Sequence, residues 1–470
     1  MTHVIRRLEH QEIELSETPS DEQVSPLCAR EVIDSALKYG CTRDGEWFTY
    51  KRTNNSILKC GGWVGSMQVG DRQIEVRPKI ENVEGADTEV NLVELLIKSG
   101  VIEAEFREVA NLADRATAFE LLALWYARKI SKECNRGLSR GYVELADNIP
   151  GKRGRIDFSK EWVNKSRKRA LLACRFDEHS EDNQLNRILK AGLRAALSTQ
   201  AKLPECRMAL GNTLKLLDGI SDVTISAQTA ASYKPDRKDL RFKPLLKLAV
   251  RFISNIRHQD VRSDETSSNS DGLSLMWSAW RLFETFVYRE LSGENQDSDL
   301  KLSTDKWSIK NQVSGRHMIR RHSATRGTDY ILKPDIIIYD SKGRPNVICD
   351  TKWKYDTRSS GEEDASAING KRGKYIVKKS DLYQMFAYSR FYTSGEFIPS
   401  IALIYPSQNK PSPAKGADGP LSFLTKVDTL YFNIGENGTQ TAVDIYEFPV
   451  PTIVKPVKAS PDPIIGPLSK

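Results

Sequence analysis

The sequence predicts an α+β protein in three parts: a β-rich N-terminal domain (1–110), a mainly helical middle region (111–262) and an α/β C-terminal domain (273–450). Three observations carry that division. Short apolar segments between Asn, Gly and Asp turns crowd residues 42–80, whereas apolar residues recur at helical spacing through much of 91–256. The polar, non-periodic stretch Ser263–Gly272 then reads as a linker or exposed loop. At 470 residues the chain has length for two or three domains with their own cores.

Taken in order, residues 1–30 read as loosely structured, with Ser16, Thr18, Pro19 and Ser20 set among acids. Trp47–Tyr50, Ser56–Leu58, Trp63–Gly65 and Ile74–Arg77 read as strands, and Gly70-Asp71 as the turn of a hairpin. Pro78-Lys79-Ile80 is expected to close that sheet. A helix opens at Asn91, and Phe119, Leu122, Ala123, Tyr126 and Ile130 give the 116–130 segment an apolar helical face. Tyr142–Leu145 is strand-like. Asp182 is the expected cap of a helix reaching Ser198; Leu210–Leu217 is a shorter helix, and Lys243–Ile256 carries Pro244 in its first turn. Core packing accounts for these helices without any site.

The C-terminal domain opens on an expected helix from Leu273 to Leu291, so rich in large hydrophobes that most of it should be buried. Glu284 interrupts that run. A buried carboxylate costs several kcal/mol, roughly, unless it is paired or bound to metal; on a partly exposed helix face it would need no partner. Two strands follow, Lys333–Asp340 and Val347–Lys354, joined by the turn-forming Ser341–Asn346. This hairpin brings Asp335, at the start of one strand, towards Asp350 and Lys352 at the end of the other. Positions i and i+2 of a strand share a face, so Asp350 and Lys352 point together. A helix from Asp381 to Tyr392, carrying Gln384, and a buried strand Ser400–Pro406 complete the pattern; the tail 451–470 is rich in Pro and Lys.

Hard oxygen ligands of this kind suit Mg²⁺, which keeps several waters and needs few carboxylates. Asp335 and Asp350 are the expected ligands, with the Thr351 carbonyl a further one, and Lys352 would orient or deprotonate a water. Such a site hydrolyses phosphodiesters.

Composition narrows the partners. No run of eighteen apolar residues exists, and the N-terminus turns polar at once, so a cytoplasmic protein without membrane contact is expected. Seven scattered cysteines without a CxxC pair speak against a disulfide framework or structural zinc. The net charge of +8 is concentrated: nine Lys/Arg fall in 152–175 and seven in 301–330, against two acids each, which suits phosphate backbones. Arg320 and Arg321, with Lys371, Arg372 and Lys374 of the basic Asn369–Lys374 loop, are the candidate contacts to double-stranded DNA. That loop lacks GxxxxGK[ST] spacing, so nucleotide binding by this chain is not expected.

Pro334-Asp335, Asp350-x-Lys352 and the upstream helical Glu284 resemble the motif of the PD-(D/E)xK (restriction-endonuclease-like) nucleases, a match that the helix carrying Asp381, Tyr383, Gln384 and Tyr388 strengthens. The likeness extends further. Val76–Ile80, Arg136–Tyr142, Gly154–Asp157, Asp182–Lys190, Leu282–Val287 and Ile404–Pro406 are similar to the McrC family. That resemblance implies the nuclease subunit of a methylation-dependent (type IV) restriction system, a Mg²⁺-dependent DNA endonuclease. It also implies an McrB-like AAA+ GTPase ring as partner, on which the N-terminal part docks to stimulate GTP hydrolysis; Arg153 and Arg155 are the residues proposed to reach that site. In the same reading Glu284 is a supporting acid and Gln384 orients the lysine or a phosphate. The chain is longer than the family's compact members, with extra length assigned to loops around 263–272, 303–329 and 357–379. A stand-alone defence or repair nuclease, or a nuclease-inactive regulator of an AAA+ ring, are the alternatives.

Overall fold

A computed structural model of the 470-residue chain describes residues 3–452, apart from 39–47, 52–53, 70–71, 82–86, 103–115, 168–169, 199–202, 261–273, 296–298, 304, 314–315, 320–329, 354–367, 370–375, 394–396, 414–417 and 435–438. It is a mixed α+β fold, as the sequence predicts. The expected linker Ser263–Gly272 and most of the tail lie outside the described residues.

In chain order, β1 (His3–Leu8) and β2 (Glu12–Glu14) precede α1 (Pro26–Lys38), which has Pro at its first position, where the missing N–H costs nothing. Four strands follow: β3 (Phe48–Lys51), β4 (Asn54–Cys60), β5 (Trp63–Val69) and β6 (Arg72–Arg77). Then come β7 (Lys79–Glu81), β8 (Asp87–Glu89) and α2 (Leu92–Lys98), capped by the Asn91 side chain. The long α3 (Ala118–Arg136) starts in a reciprocal capping box between Thr117 and Glu120. Next are β9 (Gly141–Ile149), β10 (Arg155–Ile156), α4 (Phe158–Ser166) and β11 (Leu172–Ser180). Helices α5 (Gln184–Ser198), α6 (Pro204–Leu216), α7 (Ala227–Ser232) and α8 (Lys243–Asp260) lead to β12 (Ser274–Ser278) and α9 (Ala279–Ser292). The remainder runs β13 (Ser308–Asn311), β14 (Arg316–Ile319), β15 (Tyr330–Leu332), β16 (Ile336–Tyr339), β17 (Pro345–Thr351), β18 (Ile368–Asn369), β19 (Ile376–Val377), α10 (Lys379–Phe391), β20 (Ser400–Ser407), β21 (Thr425–Ile434) and β22 (Thr439–Pro449).

These elements form two compact units. The first comprises Met1–Arg77 with Gly100–Ala279, the second Pro78–Ser99 with Trp280–Lys470. In the first unit a sheet of order β1-β6-β5-β12 and a smaller one of order β2-β4-β3 enclose Ile5, Ile13, Leu58, Met67, Ile74 and Met276. A helical core gathers around Trp125 and Tyr126 of α3. Phe252 of α8 meets Tyr126 edge-on with ring centroids 5.2 Å apart, and the Tyr126 hydroxyl donates to the Leu189 carbonyl at 3.0 Å. The third sheet, β10-β11-β9, stands out because β9 and α4 leave large apolar side chains in solvent.

Four expectations need correction. Residues 1–30 are not loose: β1 pairs in parallel with β6, a contact across some seventy residues that no local pattern announces. The hairpin of β5 and β6 forms, with its turn 70–71 outside the described residues, but Lys79-Ile80 pairs with β8 instead of closing that sheet. The run from Leu273 is not one helix. Leu275 and Trp277 belong to β12, antiparallel to β5, and the helix begins at Ala279; a continuous apolar run has no period that separates strand from helix. Helix α5 is capped by Asn183, whose Oδ1 accepts from Asn186 N at 3.1 Å, while Asp182 turns to Arg187 and Ser221.

The second unit is organised on a six-stranded mixed sheet, order β13-β16-β17-β20-β22-β21. The predicted hairpin is β16 and β17, antiparallel. From β17 the sheet continues in parallel through β20 to β22, the step from β17 to β20 being made by the crossover that holds α10. Ile336–Ile338, Ile348, Cys349 and Ile401–Tyr405 are buried without alternation, as strands covered on both faces require. Phe283 and Phe286 of α9 pack edge-on against Phe448 of β22, at 6.4 and 5.5 Å. Among the described residues no helix is long and apolar enough to cross a membrane.

Candidate active site

Charged and polar groups converge where β17 ends. Asp335 sits just before β16; its Oδ2 accepts both the Thr351 main-chain N–H and the Thr351 hydroxyl, each at 2.8 Å, which orients the carboxylate. Asp350, the penultimate residue of β17, is buried. Lys352 follows one residue beyond the strand, and its N–H donates to the Ile404 carbonyl at 2.9 Å, extending the ladder with β20. Its ammonium is ion-paired with Asp350 Oδ2, lies 3.3 Å from Asp381 Oδ1 and donates to Gln384 Oε1 at 3.4 Å. Gln384 Nε2 donates in turn to the Tyr388 hydroxyl at 2.8 Å. Residues 381, 384 and 388 recur at helical spacing, so α10 presents all three on one face.

Glu284 approaches from α9. It is almost fully buried and accepts a hydrogen bond on Oε1 from the side-chain amide of Gln312, whose main-chain N–H donates to the Asp335 carbonyl at 2.8 Å. Glu284, Asp335, Asp350, Thr351, Lys352 and Gln384 are thus brought together. Arg320, Arg321, Lys371, Arg372 and Lys374 lie outside the described residues. Arg153 and Arg155 are in the first unit, on or beside β10; Arg153 stacks over the Phe176 ring at 4.2 Å and pairs with Glu178 at 3.9 Å. Asp381 is a second carboxylate on the lysine, a pairing that its place near a helix start did not announce. Gln312 went unnoticed because a lone Gln after a short strand carries no pattern.

The electrostatics of the cluster are those of crowded buried acids. Burial, then the neighbouring Asp335 charge, pushes Asp350 well above the usual carboxylate range; burial, then Glu284, does the same to Asp335. Glu284 is also raised, first by burial, with the Gln312 hydrogen bond opposing. Burial works against the Lys352 charge, but Asp350 and Asp381 outweigh it and hold the ammonium above its ordinary range. Two buried carboxylates that resist joint ionisation are a donor set that a divalent cation would relieve. Among the described residues no group of three or more His, Cys, Asp or Glu has metal-holding geometry.

With this geometry established, comparison with known proteins identifies the family. The model of the McrBC 5-methylcytosine restriction system component matches residues 58–406, about three quarters of the sequence and most of both units. The chain belongs to the McrBC family. It is a component of an McrBC-type restriction system. No protein of curated function matches it. Among solved structures it is similar to a chain of the refined half-complex from the tetradecameric assembly of Thermococcus gammatolerans McrB AAA+ hexamers with bound McrC. The TM-score is 0.58 at 16% identity, covering 95% of this chain and 94% of that one. A chain of the T. gammatolerans McrBC complex aligns with a TM-score of 0.40 at 19% identity, over 61% of this chain and 86% of the other. At such identities the first likeness establishes a shared fold.

Proposed function

We propose that this chain is the DNA-cleaving subunit of its McrBC-type complex, a Mg²⁺-dependent endonuclease of the PD-(D/E)xK kind that works with an McrB-like AAA+ GTPase. The observation that carries the reading is the convergence of Asp335, Asp350 and Lys352 at one end of a buried hairpin, with Glu284 and Gln384 brought in by flanking helices.

Asp335, Asp350 and the Thr351 carbonyl would hold the cation. When bound, Mg²⁺ supplies a Lewis acid for the phosphate oxygens and charge stabilisation for the pentacovalent transition state. Lys352, ion-paired with Asp350 and 3.3 Å from Asp381, would orient or deprotonate the attacking water and offset developing negative charge. Gln384, steadied by Tyr388, keeps the Lys352 head in place or meets a phosphate oxygen. Glu284 adds a carboxylate beside the metal-binding pair. Arg320, Arg321, Lys371, Arg372 and Lys374 are proposed contacts to the DNA backbone.

The McrB-like ring is proposed to bind the first unit. Support comes from β9 and α4, where Tyr142, Phe158 and Trp162 are 80%, 78% and 77% exposed; Arg153 and Arg155, the residues proposed to stimulate GTP hydrolysis, lie between these two elements in the chain. The test is Asp350→Ala, assayed with the GTPase partner on methylated DNA. Cleavage should fall by ~10³-fold or more while GTPase stimulation persists. Retained cleavage would sink the proposed site, and cleavage by the chain alone without GTP would favour a stand-alone nuclease.

A further inference from the structure

We infer that Gln312 is a positioning residue, holding Glu284 against the Asp335 end of the hairpin; this rests on the metal-site reading above. Gln312 follows the last residue of β13, a strand antiparallel to β16, and so arrives beside Asp335. One residue makes two connections there: its main-chain N–H to the Asp335 carbonyl at 2.8 Å, and its side-chain amide to Glu284 Oε1. Helix and hairpin are far apart in sequence, and Gln312 ties one to the other.

The backbone at Gln312 has φ +48°, the left-handed region that an L-residue with a long side chain seldom occupies. Glycine would satisfy the conformation without strain. What glutamine supplies and glycine cannot is the amide that reaches Glu284. A strained residue beside a cluster of buried acids is where structure is commonly given up for placement. The amide nitrogen of Gln312 donates to Glu284 Oε1, so the residue acts through the orientation of Glu284. Outer-shell groups of this kind typically alter metal affinity by roughly 10–100-fold when removed.

The test uses the full chain without DNA, with Mn²⁺ as the probe and free ion measured by electron paramagnetic resonance. Gln312→Gly should bind Mn²⁺ at least ~10-fold more weakly. Glu284→Ala should weaken binding as well, and adding Gln312→Gly to it should change little further, since the amide then has nothing to hold. Unchanged Mn²⁺ affinity in Gln312→Gly, or a full additive loss on the Glu284→Ala background, overturns the assignment. Asp350→Asn separates the two levels. If it abolishes Mn²⁺ binding while Gln312→Gly does nothing, only the role of Gln312 falls; if it leaves binding intact, the metal site itself is wrong and the assignment goes with it.

Discussion

The end of β17 and the β9–β11 sheet with α4 break the ordinary partition of side chains in opposite directions. In the second unit Glu284, Asp350 and Asp381 are taken out of water, and the Asp335–Asp350 pair is left short of positive charge. In the first unit Tyr142, Phe158 and Trp162 are put into water. Buried charge and exposed aromatics are both unfavourable for an isolated chain. The proposed cation would relieve the first and the proposed partner surface the second. The lesson is that the two deviations are independent and can be tested apart.

Breaking the exposed side should have the larger effect. Trp162→Ser, Phe158→Ser or Tyr142→Ser should each weaken the partner complex by about 2 kcal/mol, roughly 30-fold, read as the concentration giving half-maximal GTPase stimulation. Folding should barely register the changes, shifting by about 0.5 kcal/mol or less in denaturant melts, and Mn²⁺ binding should be untouched. A loss of stability equal to the loss of binding would mean that these rings serve the fold instead.

Gly154→Ala attacks the same sheet from its backbone. Gly154 has φ +64°, and a Cβ there would lie 2.3 Å from the Arg175 carbonyl oxygen, so the substitution should cost about 1–3 kcal/mol locally. Hydrogen exchange should quicken through 141–180 and GTPase stimulation should fall, while the second unit keeps its Mn²⁺ affinity.

The smallest effect is a pH dependence of the buried pair. In the metal-free fold Asp335 and Asp350 keep protons that the unfolded chain has released, because their folded-state values lie above the ordinary carboxylate value of about 4. Between about pH 4 and neutrality the native state then binds more protons than the unfolded one, so this contribution to stability declines as pH rises. Melting temperature compared with Asp335→Asn over that range should show the wild type losing ground towards neutrality, and saturating Mg²⁺ should flatten the difference. A wild type that gains ground instead would mean that the pair is adequately neutralised without a cation.

How much of this could be read beforehand follows the range of each interaction. Asp350 and Lys352 were legible together because strand periodicity is local, and Glu284 stood out as an acid inside an apolar helix. The parallel pairing of β1 with β6 was not legible, because a parallel strand needs a distant partner that leaves no trace nearby. The sequence of β12 reads as helix because burial on both faces erases the alternation that marks a strand. Gln312 was invisible for a third reason: its importance lies in a φ value and in the two groups it touches, neither of which is a property of its neighbours in sequence.

The place of β12 bears on how the molecule is made. Strand β5 has β6 on one side, and on the other waits for residues 274–278, some two hundred positions later. During synthesis β5 therefore goes without its second neighbour until residues 274–278 emerge, and only the residues after them carry the acids of the proposed cutting site. A chain ending before residue 274 leaves β5, an inner strand of the finished sheet, unpaired along one side and apt to aggregate. The order of synthesis thus puts the proposed ring-binding sheet ahead of the part proposed to cut.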